Sequence, residues 1–177
     1  MNKLTVDEII KYLGLQPLPL EGGYFKVTYT AGETIQAAAL PERYTKNRNM
    51  AGAIYFLETA DQFSAIHKLP TDELYYYHLG DPMEMLFLHP DGRGEIHILG
   101  PDLTAGHQLQ LVAPRDCWHG SRPLPGQEHG FSLGSTSMAP GYDETDPVFA
   151  DRDELFKSYP TFNTLIEALT RLSPHNV

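Results

Sequence analysis

The chain predicts an all-β-dominated fold, an antiparallel barrel or jelly roll with short helices at its two ends. Three observations point there. Short apolar or alternating runs recur between turns containing Gly, Pro and Asp through the middle of the sequence. Helical periodicity is confined to the two ends. The intervals between the central runs are too short for the crossover helices that a parallel sheet needs. The expectation is one domain over residues 1–177, with a barrel core at about 20–142, an N-terminal helix at 5–13 and C-terminal helices within about 152–172.

The elements follow in order. Thr5-Val-Asp-Glu8 is a capping box, and Val6, Ile9, Ile10 and Leu13 give the apolar stripe of a helix that Gly14 stops. Pro17 and Pro19 prevent its continuation. Gly22–Gly23 permits a tight bend or close backbone approach before a strand at Tyr24–Tyr29. Between Gly32 and Asn49 the chain reads as a loop carrying Arg43, Lys46 and Arg48, either solvated or an anion-binding lid. Gly52–Glu58 is a strongly apolar strand. Met83–His89 and Glu95–Leu99 form a hairpin about a PDGRG turn, and the HGFSLGSTSMAP run is the last long strand. A short helix is expected at Arg152–Ser158, ending before Pro160. Phe162, Leu165, Ile166, Leu169 and Leu172 then mark an amphipathic helix suited to packing on its own sheet or on a partner subunit, and Ser173–Val177 should fray.

Composition restricts the partners. Thirteen basic against 23 acidic residues give a formal charge of −10, which argues against nucleic acid or an anionic membrane as the main partner. The single cysteine, Cys117, precludes an internal disulfide and suits a reducing cytosol, so a cytoplasmic location is expected. No apolar run approaches the roughly 20 residues of a membrane span, and no signal-peptide core is present at the N-terminus.

The chemistry concentrates in FSAIHKLPTDELYYYHLG, from Phe63 to Gly80. Alternation through Phe63, Ala65, His67 and Leu69 puts His67 on the apolar face of its strand, with Ser64 and Lys68 on the other and Ile66 out of pattern. After the turn, an inward Glu73 carries Tyr75 and Tyr77 inward and turns Leu74, Tyr76 and His78 away, so neither Tyr76 nor His78 is expected to be a catalytic base. A His and a Glu facing one apolar interior are costly to bury unless they pair, bind a ligand or hold a metal. The competing reading makes His67 a satisfied core histidine and Glu73 a strand-end surface charge.

Two signatures resemble those of the cupin superfamily. His67, Glu73 and Gly80 fit the first, with Leu69 where a second His stands and Asp61 where a leading Gly stands. Pro114 and His119 fit the second, with Asp116 in place of its Gly. EGGYF (from Glu21), HKLPTDE, LGDP, LGPD, WHGSR (from Trp118) and APGY then occur in order, and together resemble the small family of unknown function called cupin superfamily 5, over roughly Val6 to Pro160. Two departures are Tyr76, where the family pattern has a His, and His119, where relatives often carry Gln.

The resemblance implies a cupin jelly roll (a double-stranded β-helix), a homodimer, and a small-molecule pocket inside the barrel. Glu21 and Tyr24 are raised as pocket residues, within an aromatic collar of Tyr24, Tyr75, Tyr77 and Trp118. By analogy with cupin-fold epimerases, a metal-independent isomerase or epimerase acting on a sugar or nucleotide-type metabolite is expected, with His67 as base, Glu73 orienting it and a Tyr as proton donor. One alternative is a metal-dependent oxygenase, lyase or isomerase using His67, Glu73 and His119 to hold Fe, Zn, Ni or Mn. Another is a ligand-binding or storage module without turnover.

Overall fold

The computed structural model describes residues 4–171, so Leu172 and the expected fraying of Ser173–Val177 lie outside it. Helix α1 (Val6–Leu13) has the expected capping box between Thr5 and Glu8, and Gly14 terminates it in the left-handed conformation at φ 64°. The strands are β1 (Gln16–Pro17), β2 (Tyr24–Thr30), β3 (Thr34–Ile35), β4 (Arg48–Asn49), β5 (Gly52–Thr59), β6 (Ser64–Lys68) and β7 (Glu73–Gly80), followed by β8 (Met83–Leu88), β9 (Gly94–Leu99), β10 (Gln110–Ala113), β11 (Trp118–Pro123), β12 (Phe131–Met138) and β13 (Val148–Phe149). Helices α2 (Arg152–Ser158) and α3 (Asn163–Ala168) close the described chain. None of the described helices is long and apolar enough to cross a membrane.

One sheet has the order β1-β2-β5-β12-β7-β10 and the other β13-β6-β11-β8-β9, and every pairing within them is antiparallel. From β5 onward the chain changes sheet at nearly every turn, which makes the two layers a jelly roll. Between the layers lie Phe56, Tyr75, Met83, Met85, Phe87 and Leu99. The C-terminal stripe packs on its own chain: Leu155, Leu165, Ile166 and Leu169 cover Ile66, Leu86 and Leu88 on the smaller sheet. Ile66 is out of pattern for this reason, because the strand has an apolar partner on both faces. Helix α1 covers the larger sheet through Ile9 against Leu57, Phe131 and Leu133.

The loop expected at Gly32–Asn49 is instead a fastened strap. Strands β3 and β4 pair, and Arg48 is buried in a two-pronged ion pair with Asp146 at 2.7 and 2.6 Å. Lys46 reaches Asp143 at 3.3 Å, Arg43 Nε donates to the Pro70 carbonyl, and the buried Tyr44 hydroxyl bonds Thr71 at 2.7 Å. The acidic turn after Gly141 supplies counter-charges that local sequence cannot assign to their partners.

Removing one member of a buried ion pair strands the other, so Asp146→Ala should cost about 3–5 kcal/mol in urea unfolding. Replacing both partners, as in Arg48→Met with Asp146→Leu, should cost far less. Equal losses in the two variants would refute the pairing as the source of the effect.

Candidate functional site

The site is assembled by backbone devices before any side chain meets another. Asp116 N–H donates to the Leu69 carbonyl, and Arg115 N–H donates to Asp72 Oδ1 at 2.7 Å, so the turn before β11 is tied to the turn between β6 and β7. Asp116 sits at φ 63°, the left-handed conformation that the Gly of the cupin signature would adopt without strain. His119 and His67 become direct register partners across β11 and β6, with ring centroids 4.4 Å apart.

Both imidazoles are oriented in the same way. His67 Nδ1 lies 2.8 Å from the Ala65 carbonyl, and His119 Nδ1 lies 3.1 Å from the Cys117 carbonyl. A carbonyl only accepts, so each Nδ1 carries a proton, and in the neutral imidazole each Nε2 then presents a lone pair. His119 Nε2 faces Glu73 Oε2 at 3.4 Å and is buried with no hydrogen-bond partner. In this tautomer two acceptors confront each other, which a cation or an added proton must reconcile. Ligand atoms of His67, Glu73 and His119 all lie within 4.8 Å of one another, and all three residues are buried. Two imidazole nitrogens and one carboxylate form a donor set suited to a divalent transition metal.

Burial alone would raise the Glu73 carboxyl. A proton shared with His119 across the 3.4 Å contact, with smaller help from the charge of His67 and from Thr136, outweighs it and holds the group below its ordinary value. The Tyr75 hydroxyl donates to Glu73 Oε2 at 2.9 Å, and burial beside that carboxylate drives the phenol well above its usual range. Glu73 therefore contacts His119 and Tyr75. The carboxylate nearest His67 Nε2 is Glu21, at 3.9 Å.

Glu21 reaches this position because of the two glycines after it. A Cβ on Gly22 would collide with the Phe63 carbonyl at 2.5 Å, and one on Gly23 with the Leu57 carbonyl at 2.8 Å, both at positive φ. Ser64 Oγ donates to Glu21 Oε1 at 2.9 Å. Alternation had placed Ser64 opposite His67, but the β6–β11 register slips between His67 and Ser64, and the bulge turns both into the cavity.

The cavity has a volume of about 710 Å³. Among the candidates from sequence, His67, Glu73, Glu21, Tyr24 and Tyr75 line it. Tyr77, Trp118 and His119 do not, His119 being buried beside His67 behind the wall. Tyr77 points inward but lies two residues further along β7, packed on the core with its hydroxyl donating to the Gly80 carbonyl at 2.6 Å. Trp118 precedes an inward His119 and so faces outward, against the helices and beneath the Lys68 ammonium. Of the four expected aromatics only Tyr24 and Tyr75 line the cavity, joined there by Tyr29 from β2 and Tyr142 from the turn after β12. Tyr76 and His78 lie off the cavity, bonded to Ser137 and Ser135. Leu69, where a second signature His would stand, lines the cavity as an apolar group.

Two acidic residues of the lining escaped the sequence reading, Glu58 and Glu144. Glu58 ends β5, is buried and lines the cavity, and desolvation, against a hydrogen bond from Ser121 and reinforced by the Glu21 charge, pushes its carboxyl up to about 8. The signal was available: Glu58 keeps step with Ile54 and Phe56 on one face of an apolar strand.

A jelly roll with an inward His–Glu–His set gathered from adjoining strands defines a cupin-type protein. Residues 7–150 match the family described as Cupin superfamily (DUF985), and the chain belongs to that family. A hypothetical protein from Leishmania major is similar over 96% of this chain and 100% of its own, at 27% identity and a TM-score of 0.82. A Shewanella oneidensis protein is similar over 96% and 99%, at 28% identity and a TM-score of 0.83. A cupin 2 conserved barrel domain protein from Rhodopseudomonas palustris shares the fold at 11% identity over 89% and 86%, with a TM-score of 0.55. No curated protein matches the chain.

Tyr77→Phe should lower stability by about 1 kcal/mol, the worth of one hydrogen bond. It should leave binding of Mn(II) or Zn(II) to the protein, measured by calorimetry, within twofold of wild type. A tenfold loss of metal affinity would place Tyr77 in the site after all.

Proposed function

We propose that this protein is a metal-dependent cupin enzyme that binds a small, largely apolar molecule through an oxygen group and moves protons on it, as an isomerase or lyase does. The observation that carries the reading is the buried, unpartnered Nε2 of His119, 3.4 Å from Glu73 Oε2, with a ligand atom of His67 within 4.8 Å of both residues' ligand atoms. His67, Glu73 and His119 would hold a divalent cation. When bound, the cation supplies Lewis acidity toward a substrate oxygen.

The chain's own groups do the rest. Ala65 and Cys117 carbonyls fix the imidazoles, and Tyr75 and Thr136 hold the Glu73 carboxylate, so the donor set needs little reorganisation to act. Glu21, anchored by Ser64, is the carboxylate placed to take a proton from a molecule in the cavity. The apolar walls, including Ile54, Phe56, Met138 and Phe149, exclude water from the body of the ligand.

The same geometry argues against a sugar nucleotide. No Lys or Arg lines the cavity among the described residues, whereas Glu21, Glu58, Glu73 and Glu144 do, so a diphosphate would lack counter-charge. A metal-free reading retains one specific support, the His67–Glu21 pair at 3.9 Å, which could pass a proton without a cation. In that case Glu21, and not Glu73, is the carboxylate that works with His67.

Assembly and location are proposed on lesser grounds. Strand β10 ends the larger sheet with Leu109 and Val112 exposed beside it, an edge that a second copy could cover in a homodimer. The lone, buried Cys117 fits a cytoplasmic setting. Light scattering at micromolar concentration should return twice the chain mass, and a monomer mass would end the dimer proposal.

Metal analysis on protein purified without chelators tests the function. Stoichiometric divalent metal is expected in the wild type and in Tyr77→Phe, with loss in both His67→Ala and His119→Ala. A wild type that stays metal-free after incubation with Fe(II), Zn(II), Ni(II) and Mn(II) would overturn the metal-dependent reading in favour of the His67–Glu21 pair.

A further inference from the structure

Glu58 has no part in the cation cluster, yet it is 2% exposed in the wall of the same cavity. Its Oε1 accepts a hydrogen bond from Ser121 Oγ at 2.6 Å, across from the opposite sheet. Its Oε2 is buried and has no partner. Burial is the largest influence on it and opposes a second negative charge; the Ser121 hydrogen bond works the other way but is outweighed, Glu21 from the loop before β2 repels the charge, and Tyr75 from β7 is itself held neutral beside Glu73. No cation lines this cavity among the described residues. An ionised carboxylate left unpaired in such a wall costs several kcal/mol, and a proton removes that cost.

We propose that Glu58 is the hydrogen-bond donor of this pocket: Ser121 holds Oε1, and Oε2 presents a carboxylic O–H to an uncharged acceptor oxygen, such as a ketone or ester carbonyl, on the bound molecule. The unpartnered Oε2 would then find its acceptor on the ligand. The pocket would discriminate between a carbonyl compound and the hydrocarbon of the same shape, because only the carbonyl satisfies the buried donor. The elevation of the Glu58 carboxyl to about 8 supports the same protonation at neutral pH. This inference rests on the cavity being a ligand site and is independent of whether the cluster holds a metal.

The sign of the pH effect follows from linkage. A carboxyl whose folded value is raised keeps its proton in the native state after the unfolded chain has lost it, so Glu58 should make stability fall as pH rises from about 4.5 to about 8. Glu58→Gln keeps the shape and an acceptor for Ser121 but cannot titrate. Its unfolding free energy should lack that decline, and a decline of unchanged size in Glu58→Gln would overturn the assignment.

Two spectroscopic readouts complete the test, both on as-purified protein and again after chelator treatment, with cyclohexanone as the probe. Infrared difference spectra at pH 7 should show the carbonyl stretch of a protonated carboxyl in the wild type and not in Glu58→Gln, before and after chelation. Bound cyclohexanone should have its own carbonyl stretch lowered in the wild type, and it should bind about tenfold more weakly to Glu58→Leu, as loss of one hydrogen bond requires. Absence of the protonated-carboxyl band, or an identical probe stretch and affinity in wild type and Glu58→Leu, would refute the donor role. Metal content unchanged in Glu58→Gln keeps this outcome separate from that of the cation cluster.

Discussion

The site depends on one hydrogen bond used twice. In each histidine, Nδ1–H donates to the carbonyl two residues earlier on the same chain, Ala65 for His67 and Cys117 for His119. In a neutral imidazole each bond consumes the only proton and turns the other nitrogen into an acceptor, in His119 facing Glu73 at 3.4 Å and in His67 nearest to Glu21 at 3.9 Å. A neutral imidazole with the opposite tautomer would donate to Glu73 and need nothing more. With this tautomer the acceptors are reconciled by a positive charge, either a proton shared between His119 and Glu73 or a cation among the three, and the second possibility is what makes the cluster a candidate metal site.

That bond in turn needs the backbone to sit correctly, and the fold arranges this with local irregularities. The bulge in β6 lets Ser64 and His67 face the cavity together, although three residues apart. The left-handed Asp116 and the hydrogen bond from its N–H to Leu69 hold the second signature against the first. Gly22 and Gly23 bring Glu21 within reach, and Arg171 fastens that turn by donating to the Glu21 and Phe63 carbonyls at 3.2 and 2.9 Å. Each device is a departure from regular strand geometry, and they cluster where the function is placed.

This distribution explains what could be read from the sequence. The jelly roll was legible because strand length, turn residues and terminal helical stripes are local properties, and Thr5, Gly14 and Leu165 behave as their neighbours dictate. His67, Glu73 and His119 were legible from their spacing and family resemblance. Period-2 alternation failed for Ser64 because a bulge adds one residue without any mark in composition. It placed Tyr77 on the correct face, but direction does not give depth, and Tyr77 lies beyond the cavity. Trp118 was raised for its aromatic character although alternation with an inward His119 already turned it out. The strap was misjudged as a loop because the partners of Arg48 and Lys46 lie about a hundred residues away, at Asp146 and Asp143.

The cavity's electrostatics tie the two proposed roles together. Four glutamates line one largely apolar space with no Lys or Arg among the described lining, and such an arrangement cannot hold four full negative charges. Each group has a separate route to relief. Glu73 is kept ionised by His119, His67 and Thr136 with Tyr75 donating to it, Glu21 has Ser64 and the nearby imidazole, and Glu58 takes up a proton. The result is a pocket with an acceptor cluster suited to a cation at one place and a neutral acid donor at another. A ligand that bridges them needs an oxygen for each, and an apolar body between. On the two proposals together, the substrate carries both oxygens on an otherwise apolar frame.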